Sequence, residues 1–557
     1  MKKSLFLALI MILSLSAQWS SDPAHNLQIS TFGYYVDACE DGNGGAFVCW
    51  RTTADNPTVW VQWVDKFGYA RWPQPVQVTG AGLGQTNNRI IKTSDNAAVI
   101  AFGDQYVGDT FDVPPWVIYK TYITLNKIDT TGILLWGENG VRVTVDTAQQ
   151  QDLVIIPDET GGAYLTWNDR FPVGGDPDSM IIRLQRISYE GQRMWGDSGR
   201  YVYKAPRNFY NFPFISNRLP DGLFFLYLEK DEPRTIEYIE PDGNIIWKKQ
   251  NEWYKRMMPT QDGGAAWAFK HRISHTGEYL ILANRMDSEG NLMWSDSGLV
   301  IDRNIPYNKN ISDEMLLQDN SLVVYYGKNR PYSYIQIINS GGTFVFPDSS
   351  ARIGSNPDGN VSGLKIQLSD YLHFILSWHE TDTENPGYYV QKFNKNMEPQ
   401  WNNHGVLYSA KEVASGKLMK DNNNGVITIW HEFFSPDVGI FGQQISKDGN
   451  LGEILTGLEP TNNTPNIFRL FQNYPNPFNN STIIPFFLPE QKHINISVYN
   501  TIGQKVKELF NGDKQSGYHR VIWNGADQNN RPVSSGVYYI KLESDNKQKI
   551  IKTLLIK

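Results

Sequence analysis

The sequence predicts an all-β protein, a β-propeller followed by a small immunoglobulin-like sandwich. Three observations carry that reading. Strand-forming aromatics are abundant, with 17 Trp and 29 Tyr in 557 residues, and 47 Gly and 29 Pro interrupt them, as expected of short strands joined by tight turns. A piece made of a polar turn and an apolar strand recurs along the first four-fifths of the chain. The pattern then changes after LTGLEPTNNTPN at 455–466, a polar, Pro-containing linker.

The first element is an export signal. Met1-Lys2-Lys3 is its positive head, Leu5 to Leu15 its apolar core, and Ser14-Leu15-Ser16-Ala17 its small-residue cleavage region, which sets a signal peptide at 1–17. A membrane anchor is the alternative, but the apolar run falls short of the roughly 20 residues that span a bilayer. No later segment reads as transmembrane. The net charge of −7 argues against nucleic-acid or anionic-membrane partners, which require clustered Lys and Arg.

The recurring turn-and-strand piece has eight copies. They are DGNGGAFVCW (41–50), SDNAAVIAF (94–102), DETGGAYLTW (158–167), PDGLFFLY (220–227), QDGGAAWAF (261–269), QDNSLVVYY (318–326), LSDYLHFILSW (368–378) and DNNNGVITIW (421–430). A second piece couples a strand, a turn and Gly-x-x-x-Trp, as in LNKIDTTGILLWGENG (125–140) and ANRMDSEGNLMWSDSG (283–298). Its aromatic falls at 72, 136, 195, 247, 294, 346 and 401. A unit of about fifty residues holding four short strands is a propeller blade. One such sheet cannot bury both faces alone. Ringed by neighbours it can, with the repeated Trp filling the gap between sheets. QWSSDP (18–23) reads as the tail of a further, incomplete copy that closes the ring. The expected propeller covers 18–456, with eight blades and seven as the alternative. Kelch repeats and sialidase Asp-boxes do not fit the spacing: the Gly-Gly precedes the strand, and Asp242-Gly243-Asn244-Ile245-Ile246-Trp247 sets Gly and Trp one residue too far apart for an Asp-box.

Two cysteines, Cys39 and Cys49, flank the turn Asp41-Gly42-Asn43-Gly44-Gly45. A register symmetric about Gly44 sets them opposite each other. A disulfide in an oxidising compartment and a pair of buried thiols are both consistent with that. No metal site and no cofactor are expected, because no Cys or His cluster has ligand spacing.

Five carboxylates recur two residues after a strand-ending aromatic: Asp104, Asp169, Glu229, Glu380 and Glu432. Equivalent positions emerge on one face of a propeller. On inner strands they would ring a channel mouth, as a cation site or as a general acid and base pair acting on a glycan, with His379 and His431 beside two of them. The structural alternative is that each acid caps its neighbour's loop amides, with Arg170 as the ion partner of Asp169. Aromatics in PPWVIY (114–119), EWYKR (252–256) and RPYSY (330–334) are expected in loops, where stacking rings suit carbohydrate.

Residues 457–469 form the linker and 470–557 a separate domain. Its expected strands are 483–488, 494–499, 504–510, 517–523, 536–543 and 549–556. Pro475, Pro477 and Pro485 cannot donate ladder hydrogen bonds and enforce an extended lead-in. Tyr474 and Phe478 are placed to pin it down. LFQNYPNPFNNSTIIPFFLP, ISVYNTIGQKVKELFNG, SGYHRVIWNGADQNNRPVSSGVYYIKLES and KIIKTLLIK occur in order. This domain resembles the type A C-terminal sorting domain of the type IX secretion system. The matching positions include Tyr474, Pro475, Asn476, Pro477, Phe478, Gly503, Trp523, Gly536 and Tyr538, and Asn480 departs from the usual Pro. A similar sandwich occurs in the flagellar hook-capping protein. The resemblance implies export through the periplasm of a Gram-negative bacterium, recognition by the type IX translocon, cutting by a sortase-like peptidase, and a secreted or cell-surface end point. The propeller is then expected to be a binding or structural platform for protein or glycan. The alternative is a glycan-active hydrolase or lyase with its site on the axis.

Overall fold

Each copy of the turn-and-strand piece becomes the second strand of a four-stranded antiparallel sheet. In the computed structural model these strands are Ala46–Arg51, Ala98–Val107, Ala163–Arg170, Leu223–Leu228, Ala265–Arg272, Leu322–Gly327, His373–Thr381 and Val426–Glu432. The structure describes residues 19–556 except 53–56, 79–81, 83, 108–118, 146–147, 171–178, 207–212, 218–221, 229–232, 252–256, 274–277, 304, 306–310, 328–332, 348–349, 354–359, 382–385, 403, 412, 433–438, 453–468, 471–472, 474–477, 480, 489–490, 515–516 and 545–546. Contacts divide the chain into Ala17–Ile454 and a unit containing Leu455–Lys557. The described elements are all strands and turns.

The first unit is an eight-bladed β-propeller. In blade 1 the strands follow sequence order across the sheet: Tyr34–Glu40, Ala46–Arg51, Val59–Val64 and Val76–Val78. Blades 2 to 7 repeat that order. Blade 8 takes three strands from the end of the unit, Ala414–Lys420, Val426–Glu432 and Gly439–Ile445. Its fourth is Leu27–Ser30, antiparallel to Gly439–Ile445 with Leu27 opposite Gly442. The closing strand therefore begins just after the expected 18–23, because Trp19 and Ser20 perform the tasks that the repeated Trp performs elsewhere. First strands pack against first strands, or against the next hairpin, all the way round, so they are the inner strands of the ring.

The seams explain the sequence repeat. Seven indole N–H groups cross to a backbone carbonyl in the neighbouring blade's turn at 2.9–3.3 Å. The donors are Trp72, Trp136, Trp195, Trp247, Trp294, Trp401 and Trp19, and the acceptors are Thr130, Tyr189, Pro241, Ser288, Ser340, Lys447 and Lys66. Six of the rings, all but Trp19, pack against a glycine of the turn they reach, at Gly132, Gly191, Gly243, Gly290, Gly342 and Gly449. A Cβ on Gly191 or Gly449 would come within 3.0 Å or 2.7 Å of the facing indole, and both glycines hold a positive φ, so only glycine satisfies space and backbone together. Where blade 6 has Phe346 in place of Trp, the facing turn carries Met397 at φ 62° in place of Gly, and both pack on the same core. The smaller ring leaves room for a side chain.

A second device escaped the aromatic pattern. An amide residue on the third strand donates to the carbonyl at or just after the repeated aromatic: Gln62 to Trp72, Asn126 to Gly137, Gln185 to Gly196, Asn284 to Ser295, Gln336 to Phe346 and Gln391 to Asn402. Gln443 of blade 8 donates to Ser20, which ties the N-terminal segment into the last blade. Inner strands are stitched as well. Asp37 and Asp313 each accept from the inner strand of the next blade, at Ile90 N (3.1 Å) and Ile366 N (3.0 Å).

The hairpin register moves the cysteines apart. Cys39 faces Phe47 and Cys49 faces Asp37, so the pairing is symmetric about Asn43 and not Gly44. The two are free thiols. Burial, with Asp37 adding to it, pushes both thiols up, which keeps them protonated and unreactive.

The C-terminal unit is a two-sheet sandwich. One sheet orders Arg469–Leu470, Thr482–Leu488 and Gly517–Trp523. The other orders Lys505–Lys514, Lys492–Tyr499, Gly536–Ser544 and Lys547–Leu555. Ile484, Phe486, Leu488, Ile496, Val498, Ile540 and Leu542 form its core, as alternation on packed sheets requires.

Candidate functional sites

The recurrent carboxylates stand on second strands, one strand away from the axis, so they do not form a ring on the inner strands. Asp104, Asp169, Glu380 and Glu432 are all buried. Glu229 lies outside the described residues. A buried carboxylate needs donors, and the aromatic two residues earlier is often the donor. Two residues along a strand return to the same face, so Trp430 Nε1 reaches Glu432 Oε1 at 3.0 Å and Trp167 Nε1 reaches Asp169 Oδ1 at 2.7 Å. Asp104 accepts from Tyr106 Oη at 2.8 Å and from Gly82 N at 3.1 Å.

The ion partner of Asp169 is Arg183, not Arg170. Arg183 sits opposite Trp167 on the third strand and reaches diagonally across one face, whereas Arg170 is next in sequence and points to the other. In blade 4 the matching role passes to Glu237 on the third strand. It accepts from Tyr227 Oη (3.0 Å) and from Arg200 of blade 3 (3.1 Å). Sequence reading missed Glu237 because it occupies the place where other blades have Gln or Asn.

His379 stacks on Tyr388 with centroids 4.1 Å apart and planes 4° from parallel. Burial lowers the His431 pKa, which keeps that imidazole neutral. Asp65 is pushed up by burial, which outweighs Arg71 and the Tyr69 and Phe67 N–H groups, and it caps the outer turn of blade 1. Among the described residues no group of three His, Cys, Asp or Glu side chains is arranged to hold a metal ion. Of the expected loop aromatics, Trp116, Trp253, Tyr254 and Tyr332 lie outside the described residues, whereas Tyr119 and Tyr334 stand on third strands and not in loops, Tyr334 stacked on Tyr326.

In the C-terminal unit the expected signature residues divide. Tyr474, Pro475, Asn476 and Pro477 lie outside the described residues. Phe478 is buried and forms a parallel bridge with Leu555. Its N–H donates to Leu554 O (2.9 Å), and Ile556 N donates back to its carbonyl (2.8 Å). Its ring meets Trp523 at 5.3 Å, and Trp523 meets Tyr538 at 5.0 Å. Tyr538 Oη donates to Ser534 O at 2.7 Å, the back-bond of a tyrosine corner. Gly503 takes φ 81° in the turn capped by Asn500, and Gly536 opens the Tyr538 strand. Asn473, unnoticed in the sequence, is buried and bridges Thr482 and Thr553 at 2.8 and 2.6 Å.

Comparison with known proteins adds a family at one end only. The FlgD Ig-like domain family matches residues 486–548, within the sandwich. No curated protein matches the chain. Among solved structures, PorZ, a surface component of the type IX secretion system of Porphyromonas gingivalis, aligns at 10% identity over 97% of this chain and 100% of its own, with a TM-score of 0.22. The propeller domain of the trilobed protease of Pyrococcus furiosus aligns at 9% identity over 68% and 99%, with a TM-score of 0.36. A PL25 ulvan lyase aligns at 9% identity over 79% and 96%, also at 0.36. At these scores the likenesses carry no argument. The propeller assignment rests on the eight sheets and their closure.

Proposed function

We propose that this chain is an exported Gram-negative protein whose C-terminal sandwich is its sorting signal and whose propeller is a rigid binding platform. The translocon of the type IX system is the partner of the sandwich. A sortase-like peptidase acts beyond Ile454, and the end point is the cell surface or the medium. The observation that carries this reading is the Phe478–Trp523–Tyr538 stack. Phe478, the last residue of the Tyr-Pro-Asn-Pro-Phe lead-in, is held to the final strand by two backbone hydrogen bonds, which supports reading the lead-in and the sandwich as one signal.

The platform role of the propeller is supported by the use of its carboxylates. Asp104, Asp169 and Glu432 spend their oxygens on indole, hydroxyl, amide and guanidinium donors inside the blades. A general acid needs a raised pKa and access to substrate, and these groups are packed away from solvent.

Deleting 470–557 tests the sorting role. The truncated chain should keep the far-ultraviolet spectrum of a folded propeller and accumulate in the periplasm of a type IX-competent host. Normal appearance in the medium would refute it. A polysaccharide-degradation screen on the full chain tests the platform role. Turnover that survives Asp169→Asn and Glu432→Gln would place an active site elsewhere on the ring.

A further inference from the structure

Five first strands of the propeller share a bulge. In blades 1, 2, 3, 7 and 8 two residues of the first strand oppose one aromatic of the second: Trp50, Phe102, Trp167, Trp378 or Trp430. In blades 2 and 3 the leading bulge residue has left-handed backbone, with φ 51° at Asn87 and 57° at Asp152. Asn and Asp tolerate that conformation, Gly adopts it freely, and bulky side chains resist it. Blades 7 and 8 place Gly363 and Ser415 at the same register position. Blade 1 is the exception. Its leading bulge residue is Tyr35, at φ 53° and 63% exposed. The Tyr35 ring belongs to neither buried core beside blade 1, so apolar burial does not offset the strained backbone.

The strained residue is nevertheless held in place. Tyr35 O accepts from Asn88 Nδ2 of blade 2 at 2.9 Å. The Arg51 guanidinium lies over the phenol ring, 4.2 Å from its centroid, and among the described residues Arg51 forms no ion pair. Three residues before Tyr35, Phe32 is 44% exposed. Its ring stands edge-on to Trp50 and Trp60, at 6.3 and 6.2 Å. The segment that carries it is short. Residues 31–33 alone link the closing strand of blade 8 to blade 1, whereas the other links between blades take four to eight residues. Gly33 permits that path, because it holds φ 125° and a Cβ there would stand 2.2 Å from Trp50. Two anchored, exposed aromatic rings and a guanidinium therefore stand at the end of the propeller that carries the links between blades.

We infer that Phe32, Tyr35 and Arg51 form a carbohydrate-binding site. A strained residue that the core does not require points to function, and here the strain presents an aromatic face to solvent. A sugar ring offers an apolar C–H face to stack on the aromatics and hydroxyls to meet the phenol and the guanidinium, which brings five donors. A cationic ligand would meet the guanidinium, and the net charge of −7 opposes nucleic acid. Rings already fixed by Asn88, Arg51, Trp50 and Trp60 lose little freedom when a ligand binds. This site gives the platform reading a ligand class and rests on that reading, while the sorting role of the sandwich stands apart.

The test applies labelled full-length chain to a printed array of plant, algal and bacterial glycans, followed by calorimetric titration with the soluble oligosaccharide of each bound glycan. The decisive variant is Tyr35→Asn, which gives blade 1 the side chain that Asn87 supplies in blade 2. It should weaken binding at least tenfold while the melting temperature stays the same or rises. Tyr35→Phe, which keeps the ring, should still bind. A melting temperature lowered by Tyr35→Asn would show that the ring serves the fold, and would overturn the proposal. Binding that survives Tyr35→Asn would overturn this site and leave the platform reading standing. Absence of binding to every glycan on the array would overturn the ligand class. Degradation of a bound oligosaccharide by the intact chain would overturn the platform reading instead, with the Tyr35 contact still measurable.

Discussion

The seam between blades 2 and 3 and the seam between blades 8 and 1 use the same bonds to different ends. In both, an indole crosses to a turn carbonyl, from Trp136 to Tyr189 and from Trp19 to Lys66, at 2.9 Å each. The first seam is continuous in sequence and filled by Lys127, which is fully buried, paired with Asp95 and covered by the Tyr189 ring at 3.7 Å. The second joins distant parts of the chain and leaves Gln444 beside a cavity. Its inner strands are held by Lys417 to Asp37 at 2.8 Å. A cation is one of several ways to satisfy the turn aspartate: Trp63 Nε1 donates to Asp41 at 2.9 Å and Gln444 Nε2 to Asp421 at 3.0 Å.

The largest test of this contrast removes residues 19–30. That deletion takes away the closing strand, Trp19 and the acceptor of Gln443. Loss of a buried Trp alone costs about 3–5 kcal/mol, so the deletion should abolish a single cooperative melting transition in calorimetry. Next in size, Trp167→Ala and Trp430→Ala should each cost about 3–5 kcal/mol in denaturant titration. Both rings are fully buried, so unequal losses would show that the closing blade is the weaker. Smaller again, Lys127→Met should cost about 1–3 kcal/mol by leaving acceptors unpaired, whereas Gln444→Lys should be neutral or stabilising in the same measurement.

The smallest expected effect is a pH dependence. Burial works against ionisation of Asp370, but hydrogen bonds from Lys392 and His373 outweigh it and hold the carboxyl down at about 2. A carboxylate with a depressed folded pKa binds fewer protons folded than unfolded, so its contribution is present above the unfolded value near 4 and is lost as pH falls toward 2. The melting-temperature gap between the parent chain and Asp370→Asn should therefore be widest above pH 5 and close as pH approaches 2.

Much of the fold was legible because a ring repeats its solutions. The turn aspartates, glycines and Trp at fifty-residue intervals exposed the blades, and the C-terminal strands fell within a few residues of 483–488, 494–499 and 517–523. The closing strand was legible only in part. Trp19 carried the signal, while Leu27–Ser30 has no repeat feature of its own. The third-strand amides from Gln62 to Gln443 were present at regular spacing, yet polar residues on strands read as solvent-facing. Partner choice was the least legible feature. Arg170 neighbours Asp169 in sequence, but Arg183 shares its face, and facing depends on hairpin register. The same one-residue shift separated Cys39 from Cys49. The Gln444 cavity emerges only when equivalent seams are compared in three dimensions.

Closure by the N-terminal strand is the claim on which the ring depends, and amide hydrogen exchange reads it directly. In the intact chain, the amides of Gly439–Ile445 should be protected to the same degree as those of Ser179–Ile187, the matching interior strand of blade 3. Exchange of Gly439–Ile445 at the rate of an exposed sheet edge, while Ser179–Ile187 remains protected, would contradict it.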